Sequence, residues 1–344
     1  GIYALRISKF DIMRVYLIFS LLSALLAAFI DSITVMIFMA TLTITICKKL
    51  GITPIPMLIG EVTSANIGGS ATMVGDLPNI LIGSSLNLTF NDFIMNTAPI
   101  AILIFFVNFV MIYIIYKKFF KSNRQNRHLL VLTLKDPGKE VNDWRLLWLS
   151  LTVFIFTITL LVLHATLNIT IALVGLGGAT LLLLLGGKKT LNIIQEIDWR
   201  TILFFASLFV IVGGLEKSGL LYDMATTIAQ LSGGNYFILL TLLLWISLWI
   251  SMFVDNVPFA ATMIPVIKSL SAIYPIQPMA WSLAMGCDVG GNGTPIGASA
   301  NIMALSAAEK EKVKISWKEY CKVAIPIVIV VAIIINIYLL RYTI

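Results

Sequence analysis

Long apolar runs separated by short polar stretches fill the chain. Ala98–Tyr116, Leu147–Leu163, Ile169–Leu185 and Val323–Leu340 reach the length a membrane-crossing helix needs, about 17–25 residues. Leu181–Leu185 and Ile327–Ile335 are continuously apolar, which excludes the alternating segments of about ten residues found in membrane β-barrels. Two other apolar segments are interrupted by glycines and small polar residues: Asn66-Ile-Gly-Gly-Ser-Ala-Thr-Met-Val-Gly-Asp-Leu-Pro-Asn79 and Asp288-Val-Gly-Gly-Asn-Gly-Thr-Pro-Ile-Gly-Ala-Ser-Ala-Asn301. They align without a gap at an offset of 222 residues, sharing two glycines, a Thr, a further Gly and the final Asn. Upstream, Phe29-Ile-Asp31-Ser32-Ile-Thr34 matches Phe253-Val-Asp255-Asn256-Val-Pro258 at an offset of 224.

A repeat this long, in an apolar chain, has the organisation of a two-half transporter fold. The pattern predicts an all-α polytopic membrane protein with an inverted repeat, two re-entrant hairpins and two broken transmembrane helices. Residues 1–116 form the first repeat, with a hairpin over 10–47 turning near Asp31, a broken helix over 54–86 and a helix over 98–116. A linker covers 117–145. Residues 146–344 form the second repeat, with scaffold helices over 147–231, a hairpin over 236–270 turning at Asp255, a broken helix over 279–306 and a terminal helix over 323–341. The counterpart of most of Trp199–Leu231 would precede residue 1, so the first repeat reads as N-terminally incomplete.

Composition agrees: 59% of residues are hydrophobic, 12% are charged, and mean hydropathy is +0.96. The net charge of +7 does not signal nucleic acid, because the basic residues sit in loops between spans and set orientation. Lys117–Arg145 carries eight of the 24 Lys and Arg residues, which makes that loop cytoplasmic. The same rule puts Arg6, Lys9 and Arg14 on one side with Lys48 and Lys49, which a hairpin allows and a single span does not. Followed to the end, it places the chain in the cell (inner) membrane with its C-terminus outside. Cys47, Cys287 and Cys321 lack metal-site spacing and read as reduced bystanders, and His128 and His164 read as surface residues.

Five acidic residues, Asp31, Glu61, Asp76, Asp255 and Asp288, lie within or beside the apolar or glycine-rich segments. A carboxylate at the centre of a span costs about 2.5–3.5 kcal/mol on insertion scales, so each is a functional candidate. Asp31 and Asp255 can cap the helices that follow them, beside Ser32, Thr34 and Asn256, and can also help bind a coupling ion. The glycines, among them Gly68, Gly69 and Gly291, should open the helices, exposing carbonyls for Na⁺ and amides for an anion. Close helix packing through small residues is the alternative. Asn66, Ser70, Thr72, Asn79, Asn292, Thr294 and Asn301 add neutral ligands, and Na⁺ would be held by Asp31, Asn66, Asp255, Asp288 and loop carbonyls.

At these residues the sequence resembles the ion transporter superfamily, in the branch of arsenite permeases, NhaD-type sodium/proton antiporters and the melanosomal P protein, related to divalent anion/sodium symporters. The resemblance rests on Ser64–Asn79, Asp255–Pro265 and Gly290–Asn301. It implies two scaffold–transport units paired as a homodimer in the lipid bilayer, with an elevator-like step moving the site. Asp31-Ser32 departs from the usual Asp-Asn, and Pro295 replaces a usual Leu.

The expected function is secondary transport coupling Na⁺ or H⁺ to a small anion of arsenite, oxyanion or carboxylate type, with plain Na⁺/H⁺ antiport as the alternative. No cofactor is expected. Neither a phosphate-cradling Gly-x₄-Gly-Lys-Ser/Thr loop nor the Gly-x-Gly-Asp pattern of intramembrane aspartyl proteases is present, since Met73 breaks the latter. These absences argue against an enzyme and leave only a separate ATPase subunit as a route to ATP-driven pumping.

Overall fold

A computed structural model of the protein describes residues 11–123, 144–185 and 199–343. The first element, α1 (Ile12–Ala27), starts where the Asp11 carboxylate accepts from the Met13 amide at 2.9 Å. After a turn over 28–31, α2 (Ser32–Leu50) runs back, capped by Asp31 and ended by Gly51 in the left-handed conformation. Next, α3 (Ile55–Gly69) stops, residues 70–76 are non-helical, and α4 (Leu77–Ser85) resumes with Pro78 in its first turn. A Thr89–Asp92 capping box opens α5 (Phe90–Asn96), and α6 (Ala98–Ile115) and α7 (Lys117–Ser122) follow. Most of the linker expected over 117–145, from 124 to 143, lies outside the described residues, as does His128.

Four helices come next: α8 (Trp144–Leu163), α9 (Ile171–Leu185), α10 (Trp199–Lys217) and α11 (Leu220–Leu231). The paired helices α12 (Tyr236–Ser251) and α13 (Asn256–Leu270) are joined by a turn over 252–255. Then α14 (Ile276–Gly291) breaks over 292–298 before α15 (Ser299–Lys310), and α16 (Trp317–Leu339) closes the fold. Ser316 caps α16, which therefore begins six residues before the apolar run at Val323.

Helices Ser32–Leu50, Ala98–Ile115, Trp144–Leu163 and Trp317–Tyr342 are long and apolar enough to cross a membrane. Their outward faces carry large apolar side chains, such as Ile102, Ile114, Trp148 and Ile337, that water would not accommodate in such density. Lipid is the solvent that fits. The protein is a multi-pass membrane protein.

The core is assembled by four helix contacts that come in two matching pairs. In one pair α1 packs on α3 and α12 packs on α14; in the other, α2 packs on α15 and α13 packs on α4. Close approach in the first pair depends on glycine. A Cβ at Gly68 would lie 2.1 Å from the Ala24 carbonyl oxygen, and one at Gly290 would lie 2.5 Å from that of Leu248. Gly75 and Gly297 are pinned in the same way against the Gly69 and Gly291 carbonyls.

The helices do open in the glycine-rich segments, over 70–76 and 292–298, but the first glycine pair of each segment has a packing role. Gly68, Gly69, Gly290 and Gly291 are themselves helical, none of them has positive φ, and each helix ends just after its glycine pair. They are there because backbone meets backbone. A correction concerns His164, expected at the surface: it is buried, and its Nδ1 lies 2.7 Å from the Leu161 carbonyl.

Candidate ion-binding site

The two breaks face each other in the interior, and each is stitched by the same bonds. Thr72 donates its hydroxyl to the carbonyl of Ala28 in the first turn, and Thr294 donates to that of Met252 in the second. Asn79 donates to the Gly69 and Thr72 carbonyls, both at 3.2 Å, while Asn301 donates to those of Gly291 and Thr294 at 2.7 and 2.8 Å. Each Asn amide thus ties the end of one helical half to the start of the next. The non-helical backbone is tolerable in an apolar surround because side chains satisfy it.

Bonds also cross between the breaks. Asn66 donates to Asn292 Oδ1 at 2.8 Å and Asn301 Oδ1 at 2.9 Å, and Asn79 donates to Asp288 Oδ2 at 3.0 Å. Asn292 reaches back to the Thr63 carbonyl at 3.4 Å. The end of the second turn reaches both breaks: Asn256 donates to Asp76 Oδ2 at 3.4 Å, and Asp255 Oδ2 accepts from Ser299 at 2.9 Å. Asp76 is close enough to Asp31, Asp255 and Asp288 for the charges to act on one another.

Four helix N-termini, those of α2, α4, α13 and α15, therefore meet at one place. Three have aspartate caps: Asp31 accepts from the Thr34 amide at 3.3 Å, Asp76 from Leu77 at 2.9 Å and Asp255 from Val257 at 3.0 Å. The fourth, that of α15, begins at Ala298 with no side-chain cap. The Asp255 carboxylate lies beside this end through Ser299, but no side chain caps its first amides.

Most residues predicted from sequence gather here. Ser32, Asn66, Ser70, Thr72, Asp76, Asn79, Asn256, Asp288, Asn292, Thr294 and Asn301 are buried around the breaks. Gly69 and Gly291 lie against the 75–76 and 297–298 backbone. Two fit less directly: Ser70 donates to its own helix at Ile67, and the Thr34 side chain is exposed, contributing only its amide. Glu61 lies apart, on α3. Ser299 and Asn108 were not anticipated. Asn108 donates to Ser64 at 3.2 Å, and the available signal was one polar residue in an otherwise apolar span.

Asp31 Oδ1, Asn66 Oδ1, Asn79 Oδ1 and Asp288 Oδ1 are buried acceptors with no hydrogen-bond donor. Each such oxygen costs about 1–3 kcal/mol if left alone. An all-oxygen set with few charges suits a hard monovalent cation better than a transition metal. Among the described residues no three His, Cys, Asp or Glu side chains are grouped to hold a metal ion.

The two junctions beside the site differ. Between α2 and α15 lies a cavity of about 170 Å³ whose lining includes Thr41, Thr45, Ser306, Lys310 and Glu311. At its edge Lys48 and Glu311 form an ion pair. Between α4 and α13, by contrast, Val257 and Ala261 pack with Leu208 and Val212 of α10 against Leu77 and Leu81.

Comparison with known proteins bears on this geometry. Residues 1–286 match the CitMHS family, described as a citrate transporter. An uncharacterized transporter of Mycobacterium bovis is 34% identical over 326 residues, covering 94% of this chain and 75% of the relative. An uncharacterized transporter of Synechocystis is 28% identical, covering 89% and 72%. The P protein of Homo sapiens is 28% identical and covers 96% of the chain, which spans about half (49%) of that longer protein. Two of these relatives are named as transporters, and the family match covers well over half of the sequence. The chain therefore belongs to the CitMHS citrate transporter family of the ion transporter superfamily.

Proposed function

We propose that the protein is a secondary active transporter that couples Na⁺ or H⁺ to the movement of a small anion of the carboxylate or oxyanion type. The observation that carries this reading is the meeting of four helix N-termini, three neutralised by aspartate and one uncapped. The uncapped end of α15 suits the anion, and the aspartates with the unpaired Asn66 and Asp288 oxygens suit the coupling cation, with Asp31, Asn66, Asp255, Asp288 and loop carbonyls as ligands. The family's description favours carboxylates within the anion class.

On this reading the two matching halves are an inverted repeat, the α1–α2 and α12–α13 pairs are re-entrant hairpins, and the site moves in an elevator step within a homodimer. The matching Thr and Asn bonds at offsets of 222 and 224 support the repeat. The excess of basic residues in the 117–145 loop supports a cytoplasmic placement in the inner membrane, with the C-terminus outside.

The test is uptake into proteoliposomes holding the full-length protein, with Na⁺ and pH gradients imposed separately and citrate, dicarboxylates, arsenite and ²²Na⁺ offered in turn. Asp31→Asn and Asp255→Asn should each abolish gradient-driven anion uptake. Unchanged coupling in both variants would defeat the assignment, and ²²Na⁺ flux with no anion flux would favour plain Na⁺/H⁺ antiport.

A further inference from the structure

Glu61 takes no part in the site just described. It is fully buried on α3, five residues before Asn66, about 7.5 Å away along the helix axis. Its hydrogen-bond partner is Thr43 of α2, whose Oγ1 lies 2.7 Å from Oε1 and 2.9 Å from Oε2. A threonine hydroxyl carries one hydrogen, so it can donate fully to only one of those oxygens. The second short approach is met when the glutamic acid donates back: the hydroxyl gives its hydrogen to the carbonyl oxygen and the carboxylic acid gives its own to the hydroxyl.

The surroundings agree with a neutral acid. The titratable neighbours are Tyr16 of α1 and Cys47 of α2, neither of them a cation. Across α3's other neighbours, α6, α14, α15 and α16, no titratable or charged side chain among the described residues bonds to Glu61. The Tyr16 hydroxyl is buried without a hydrogen-bond partner of good geometry, and it rests against Gly60, where a Cβ would lie 2.5 Å from its oxygen.

Folding does not require this cluster. At the matching offsets, Glu61 corresponds to Leu283, Thr43 to Ile267 and Tyr16 to Leu240, all three buried in the equivalent packing of α12, α13 and α14. One half builds the contact from aliphatic side chains alone, and the other places a carboxyl, a hydroxyl and a phenol there.

We propose that Glu61 is a proton-binding site of the transport cycle, a carboxyl that is loaded and unloaded with H⁺ while the broken-helix site handles the other ion. Loading forms one O–H bond at a Glu61 carboxylate oxygen as one O–H bond of hydronium breaks, and unloading reverses it, with no change of oxidation state. The proposal rests on the transporter reading and goes beyond it by assigning a proton to a residue outside the shared site.

The deciding measurement does not depend on knowing the anion. Infrared difference spectra of the full-length protein in lipid, recorded across pH, should contain a neutral carboxylic-acid band that Glu61→Gln removes. In proteoliposomes the same variant should lose citrate or arsenite uptake driven by a pH gradient. Should Glu61→Gln fail to fold, the pair Glu61→Leu with Thr43→Ile, copying the other half, replaces it in both measurements. A wild-type spectrum with no Glu61-dependent acid band at any pH at which the protein stays folded overturns the proposal, as does a variant that keeps pH-driven uptake. If Asp31→Asn and Asp255→Asn leave uptake intact, the broken-helix assignment fails while the infrared band still decides Glu61.

Discussion

The junction between α4 and α13 and the junction between α2 and α15 have the same construction and opposite chemistry. Position 76 has φ −140° and ψ 153°, and its match at 298 has φ −141° and ψ 146°, yet one is Asp and the other Ala. Asp31 and Asp255 cap their helices with φ of −46° and −47°. Beside Asp76 the helices are sealed by Leu77, Leu81, Val257 and Ala261, whereas α2 and α15, from Ile37 and Met303 onward, part around a cavity lined by threonines, Lys310 and Glu311. The backbone is therefore duplicated as a scaffold, and function is written in the side chains that break the match. On the proposed reading, that asymmetry lets the two halves present different chemistry to two different ions.

The comparison can be broken at a feature that the two halves share, the glycine contact. Gly68→Ala and Gly290→Ala each force a Cβ against a backbone oxygen, and each should cost about 3 kcal/mol or more in unfolding measured in detergent. Gly213→Ala is the control. It has nothing within 4 Å, lies inside a helix, and should be neutral or stabilising by up to about 1 kcal/mol. Equal effects at all three positions would mean that the tight approach is not real.

Exchanging the chemistry of the two junctions sharpens the comparison. Asp76→Ala should cost about 1 kcal/mol through loss of the cap and should impair cation-dependent uptake. Ala298→Asp should abolish anion uptake by occupying the uncapped N-terminus, and it should lower stability, because the position is buried and the Asp255 carboxylate lies on the adjacent Ser299. Anion uptake that survives Ala298→Asp would remove the reason for placing the anion there.

The smallest effect is expected at the mouth of the cavity. Lys48 and Glu311 are about half exposed, so Lys48→Ala should change stability by less than about 1 kcal/mol. A larger loss, read by the same unfolding assay, would mean that the pair holds α2 to α15 and that the two junctions differ in strength as well as polarity.

The sequence by itself determined the membrane class and the positions of the two interruptions, because long apolar runs and their glycine-rich breaks are local features that survive without coordinates. It also exposed the matching segments and most of the polar residues around them, since a polar side chain in an apolar run stands out wherever it points. What the glycines do was decided only by the tertiary structure. Gly68 and Gly290 read as helix breakers from propensity, but their place is set by the Ala24 and Leu248 carbonyls, which arrive from helices about forty residues away in the chain. The same holds for Ser299, which becomes part of the site through Asp255, and for Glu61, which leaves it because five residues of helix carry it toward Thr43. Local pattern fixes what each segment can be; which backbone oxygen or carboxylate lies opposite is fixed only when the helices cross.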